Sequence, residues 1–117
     1  MKLTEYLKEN ILITDGAMGT YYSKRYPGES ELVEAAVLTD PERVVDIHRE
    51  YIEAGAKLIR TNSFAVNDMF FPDPVQRSLI VKRSFRLAME AVKESAWTNI
   101  NDIVCASNHF FIMFNDD

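Results

Sequence analysis

Cysteine is almost missing from this chain of 117 residues. Cys105 stands alone, so no intrachain disulfide can form. That fits a reducing compartment, and a cytoplasmic location is expected. Basic clusters are missing too: no run of Lys and Arg is longer than the pairs Lys24-Arg25 and Lys82-Arg83, and the formal net charge is −5. Nucleic acid is therefore not an expected partner. No apolar run approaches the length of a membrane span, and Met1-Lys-Leu-Thr-Glu5 opens no signal-peptide core, so no membrane partner is expected. Internal repeats and low-complexity tracts are absent. So are a P-loop Lys-Ser/Thr and a Rossmann glycine triplet, which leaves no phosphate-binding signature. What remains is ordinary globular composition, 47% hydrophobic and 26% charged, with length for one domain and its core.

The chain is organised around Ile11-Leu-Ile-Thr-Asp-Gly-Ala-Met-Gly-Thr20. Ile11 to Thr14 reads as a strand buried on both faces, and the run then breaks into Asp15, Gly16 and Gly19. A carboxylate followed by glycines at a strand's carboxyl end builds a small-molecule site, because glycine lets the backbone turn and approach a ligand. The plainer alternative is a tight turn closed by an Asx hydrogen bond. Before it, Leu3, Tyr6 and Leu7 give a short amphipathic helix over Lys2 to Glu9. After it, Tyr21, Tyr22 and Tyr26 read as packing residues, Pro27-Gly28 as a turn, and Glu31 to Ala36 as a short helical turn.

Thr39-Asp-Pro-Glu42 has capping-box spacing with proline in the first turn, and Val44, Val45, His48, Tyr51 and Ile52 follow as one apolar stripe up to Gly55. His48 on that stripe reads as a packed, hydrogen-bonded core residue rather than a ligand. Ala56 to Thr61 is a second strand, with Asn62-Ser63-Phe64 at its carboxyl end. Strand, helix and strand make a βαβ unit with parallel strands, which brings Asp15 and Asn62 to the same sheet edge, where α/β folds bind ligands. Met69 to Pro74 is a break. Val81, Phe85, Ala88, Met89, Val92 and Ala96 then mark a helix starting near Pro74 or Val75, with Lys82, Arg83 and Arg86 on its solvated face. Ile103 to Ser107 reads as a third buried strand, with Cys105 as a packing residue. The last ten residues, 108–117, show no helix that would complete a third βα unit, and His109 has no partner at metal-ligand spacing.

Taken together, Asp15-Gly-Ala-Met-Gly-Thr20, the helix Ile47-His-Arg-Glu-Tyr-Ile-Glu-Ala-Gly-Ala56 and Thr61-Asn-Ser-Phe64 resemble the amino-terminal part of the homocysteine S-methyltransferase family. The resemblance covers about Leu3 to Ser107, less than half of the family's domain. It implies an α/β chain forming the N-terminal portion, about three strands, of a (β/α)8 TIM barrel. Residues 1–107 would be a partial homocysteine-binding domain and 108–117 a divergent or truncated tail.

The resemblance also implies a site. Asp15 would meet the homocysteine ammonium, the backbone of Gly16 and Ala17 its carboxylate, and Thr61, Asn62 and Phe64 would line the pocket. Family members hold zinc with three cysteine thiolates, and zinc lowers the pKa of the homocysteine thiol for attack on a methyl donor. None of those cysteines is matched here, so no cofactor is expected in this chain, zinc belonging to the intact family. Lys57 and Arg60 stand where the family carries acidic or neutral residues, and Ala65-Val66 replaces a small Gly-Ala pair. The expected function is a truncated methyltransferase, inactive alone. The alternatives are an interaction module that pairs with a complementary chain or with itself through an open sheet edge, or a degenerate fragment without function.

Overall fold

The structure, a computed structural model, describes residues 2–28, 32–95, 99–106 and 109–115. Its core lies between two long helices and a three-stranded sheet. Helix α1 spans Leu3–Glu9, α2 Gly19–Arg25, α3 Ala36–Thr39, α4 Pro41–Glu53 and α5 Pro74–Glu94, with a 3-10 turn at Val33–Ala35. The strands are β1, Leu58–Arg60, β2, Asn99–Ala106, and β3, His109–Asn115. No helix among the described residues is long and apolar enough to cross a membrane.

Helix α4 buries Val44, Val45, Ile47, His48 and Ile52, close to the expected stripe. Its start differs from the expected capping box. Thr39 ends α3, and its hydroxyl is spent on the Ala35 carbonyl and the Asp40 carboxylate. Asp40 is the N-cap and makes no side-chain capping bond. Gly55, at φ +115°, ends the helical segment where only glycine is free of strain. In α5, Asp73 caps the first turn by accepting from the Val75 amide at 2.9 Å, with Pro74 just inside. The fully buried face of α5 carries Ile80, Ser84, Leu87, Ala88, Ala91 and Val92, while Val81, Phe85 and Met89 are only half-buried. The expected stripe lay at one border of that face because Ser84, buried through a bond to the Val81 carbonyl, hid its centre. Ala96 lies outside the described residues. Arg49 on α4 pairs with Glu94 on α5 and ties the two helices at their solvent side.

The sheet departs most from the sequence reading. Its order is β1-β3-β2, and both pairings are antiparallel. The strand β3 belongs to the segment expected to be a tail. It sits at the centre because Phe110-Phe-Ile-Met-Phe114 is strongly apolar, with Ile112, Met113 and Phe114 buried. Ile112 and Phe114 join the core between α4 and α5, and Met113 pairs with Leu58 on the opposite face. The expected parallel βαβ pairing survives as a single bridge between Thr14 and Leu58. The flanking bonds run from Lys57 N–H to the Ile13 carbonyl at 2.8 Å and from Asp15 N–H to the Leu58 carbonyl at 3.0 Å.

Two expectations of burial are corrected. Ile11 to Thr14 is an outer edge rather than a buried strand, with Ile11 90% and Ile13 58% exposed, because only one neighbour pairs with it. Cys105 is exposed rather than packed, since β2 is the outer strand of the β2–β3 hairpin and Ile103 beside it is also exposed. Ser107 and the tail residues Asn108, Asp116 and Asp117 lie outside the described residues. Helix α1 forms as expected but buries no residue. It is held to β2 by the Leu3 N–H, which donates to the Asp102 carboxylate at 2.8 Å. That bond and Lys2 hold the Asp102 carboxyl below its usual pKa.

His48 is fully buried, as expected, but neither ring nitrogen has a hydrogen-bond partner among the described residues. Burial alone pushes its pKa down from 6.5 to about 4. Unfolding restores the ordinary value, so between pH 6.5 and about 4 the unfolded chain binds the extra proton and stability falls as pH falls. The contribution reaches roughly 3 kcal/mol once pH has dropped to the folded value. Urea unfolding of His48→Leu is expected to lose this slope, and to gain stability by removing unpaired buried nitrogens. An unchanged slope would place the titration elsewhere.

Candidate functional site

The site forms where the residues after the Thr14–Leu58 bridge and the residues after β1 leave the sheet together. Asp15 turns its carboxylate inward, with the side chain only 5% exposed. Its Oδ1 accepts from Arg60 Nε at 3.0 Å and its Oδ2 from the Arg60 backbone N–H at 3.1 Å. Arg60 Nη2 donates onward to the Gly16 carbonyl at 3.1 Å and to the Asp15 carbonyl at 3.4 Å. The Arg60 side chain remains 40% exposed, and its Nη1 has no hydrogen-bond partner among the described residues.

Beyond β1 the chain bends sharply. Thr61, Asn62 and Ser63 are buried, and each has a structural bond. The Thr61 hydroxyl accepts from the Phe110 N–H at 3.0 Å and lies 2.8 Å from the Ser63 hydroxyl. The Asn62 amide donates to the Val33 carbonyl at 2.9 Å. Glu34, buried on the 3-10 turn, accepts from the Ala65 N–H at 3.1 Å. Asn62 and Glu34 therefore cross-link the turn to the loop after β1. Phe64 projects outward, 74% exposed.

These walls enclose a cleft of about 370 Å³. All six residues expected at the site, Asp15, Gly16, Ala17, Thr61, Asn62 and Phe64, line it together. Glu34, absent from the expected set, lines the cleft too, as does Arg60, expected only as a departure from the family pattern. A signal for Glu34 existed, since a lone acid in Leu32-Val-Glu-Ala-Ala36 must find a partner when its neighbours pack.

Gly16 is needed for a reason other than the expected sharp turn. Neither Gly16 nor Gly19 has positive φ. A Cβ on Gly16 would meet the Tyr51 ring and hydroxyl at 3.0–3.3 Å. That ring is fixed, because its hydroxyl donates to the Ala17 carbonyl at 2.6 Å. Partial burial and the Asp15 charge raise the Tyr51 pKa, so the phenol stays protonated as a donor.

Comparison with known proteins places this cleft in a family. The homocysteine S-methyltransferase family model matches residues 12–108, most of the chain and both motifs that build the cleft. The chain belongs to the homocysteine S-methyltransferase family. It is 37% identical over 71 residues to the methionine synthase of Mycobacterium leprae (strain TN) and 34% identical over 71 residues to that of Mycobacterium tuberculosis (strain ATCC 25618 / H37Rv). Each match covers 56% of this chain but only 6% of the relative, so the chain spans a small part of the proteins it resembles. No solved structure matches it.

The homocysteine S-methyltransferase resemblance implies zinc held by three cysteines, and the residues of the cleft do not fit it. Its lining offers the carboxylates of Asp15 and Glu34 but neither Cys nor His. Cys105 sits apart on β2, and the side chain of His109 lies outside what is described. Among the described residues no group of three or more His, Cys, Asp or Glu is placed to hold a metal ion.

Gly16→Ala is expected to push the Tyr51 ring off the Ala17 carbonyl and to cost about 1 kcal/mol in urea unfolding. Gly19→Ala is the control. Its Cβ meets only Val33, at 3.7 Å, and alanine suits the first turn of α2 better than glycine. Equal losses from the two substitutions would contradict the close-approach account.

Proposed function

We propose that the cleft is the amino-acid-binding portion of a homocysteine S-methyltransferase site, and that this chain binds homocysteine without supplying the chemistry of methyl transfer. Supporting the first part, a buried carboxylate, a guanidinium and glycine backbone share one cleft, inside the segment matched by the family model. An ammonium suits Asp15 and Glu34, and a carboxylate suits Arg60 and the amides of Gly16 and Ala17. Supporting the second, the cleft holds no thiol or imidazole among the described residues. In this reading residues 12–108 furnish the opening portion of a (β/α)8 barrel, and the zinc-holding cysteines of the family lie outside the described residues. A cytoplasmic location accords with the lone cysteine.

A second reading concerns partners. Ile11 and Ile13 are exposed along the edge of the sheet next to β1, where a further strand from a complementary chain or a second copy would pair. Sedimentation over a range of concentrations tests it. Self-association lost on Ile13→Lys supports pairing at this edge, and a monomer throughout removes the second-copy form.

For homocysteine, calorimetric titration into the full chain is expected to show saturable binding that Asp15→Asn weakens about tenfold. Absence of binding, or equal affinity in the Asn variant, would overturn the proposal.

A further inference from the structure

We infer that Arg60 is the carboxylate anchor of the cleft, so that the site selects ligands by their acid end rather than by their ammonium. The inference rests on the homocysteine reading and adds the group that sets its specificity.

A guanidinium has five N–H donors in a rigid fork. Here Nε is committed to Asp15 Oδ1, and Nη2 to the carbonyls of Gly16 and Asp15. These bonds fix the plane of the group and leave Nη1, with two donors, unpartnered among the described residues. Arg60 lines the cleft and is 40% exposed, so a ligand can reach it. A carboxylate at Nη1 gains charge-assisted bonds from a donor already oriented, with little further ordering cost.

The same pair weakens the opposite end of the site. Asp15 already accepts two bonds from Arg60, one of them charged, so an incoming ammonium meets a carboxylate that is largely compensated. Glu34, which also lines the cleft, has no ion pair among the described residues, and one of its oxygens is held by the Ala65 amide. The carboxylate of the ligand therefore carries more of the discrimination than its amine.

The test compares three thiols by calorimetry on the full chain: homocysteine, γ-mercaptobutyrate, which lacks the amine, and homocysteamine, which lacks the carboxylate. Removing the carboxylate is expected to cost about tenfold or more in affinity, and removing the amine distinctly less. Arg60→Gln is expected to weaken γ-mercaptobutyrate and to leave homocysteamine affinity nearly unchanged, bringing the ratio to about one, whereas a merely structural loss would weaken both thiols together. Arg60→Lys, which keeps the charge and loses the fork, is expected to fall between, and it stands in should the Gln variant not fold. Tighter binding of homocysteamine than of γ-mercaptobutyrate, or a ratio unmoved by either variant, would overturn the role of Arg60 and leave the homocysteine reading intact. No binding of any of the three would overturn both.

Discussion

The bond between Asp15 and Arg60 is the contact on which the cleft depends. Among the described residues, one backbone bridge, Thr14 to Leu58, holds the segment 11–15 to the sheet. Beyond that bridge the two chains would diverge into solvent. The Asp15 carboxylate instead takes both the side chain and the backbone N–H of Arg60, and the guanidinium reaches on to the Gly16 carbonyl. The pair thus substitutes for the missing strand hydrogen bonds at the point where the glycine loop begins. Because the Asp15 side chain is 5% exposed, its charge is little screened, and a partner there counts for more than a surface pair would.

Around that contact the walls are assembled by side chains that bond to backbone. Asn62 to Val33, Glu34 to Ala65, Thr61 to Phe110 and Tyr51 to Ala17 each bring a polar group to an orphan carbonyl or amide of another segment. Loops that leave a sheet expose such groups, and burying them unpaired is costly. The Thr61 bond has a further effect. It connects the cleft to β3, so the central strand of the sheet and the floor of the site share one hydrogen-bonded seam.

The sequence made legible whatever depended on local pattern. The stripe of α4, the start of α5 at Pro74 and the convergence of Asp15 with Asn62 all followed from spacing and from the geometry of parallel strands. Pairing order did not follow. Ile11 to Thr14 has the composition of a buried strand, yet it lies outermost, since composition does not say how many neighbours a strand will find. The apolar run 110–114 carries no helix signal and so reads as a tail, although a run of that length is sufficient for a buried strand. Cys105 followed the same error: alternation places a residue on a face, but only the topology decides whether that face is covered. Arg60 was visible as an unusual residue. Its partner became apparent only when Asp15 was seen to lie across the bridge from it.

The family assignment and the local chemistry therefore bear on different parts of the function. Membership rests on residues 12–108, while the cleft within them brings together the carboxylates of Asp15 and Glu34, the Arg60 guanidinium and the glycine loop. The central claim is that Asp15 and Arg60 act as one unit in holding this cleft. A double-mutant cycle on unfolding free energy, with Asp15→Asn, Arg60→Gln and the two combined, tests it most directly. The account expects a coupling of about 1 kcal/mol or more, because each single change leaves the other group without its partner. Additive losses, within about 0.3 kcal/mol, would show that the two residues act independently and would contradict the account.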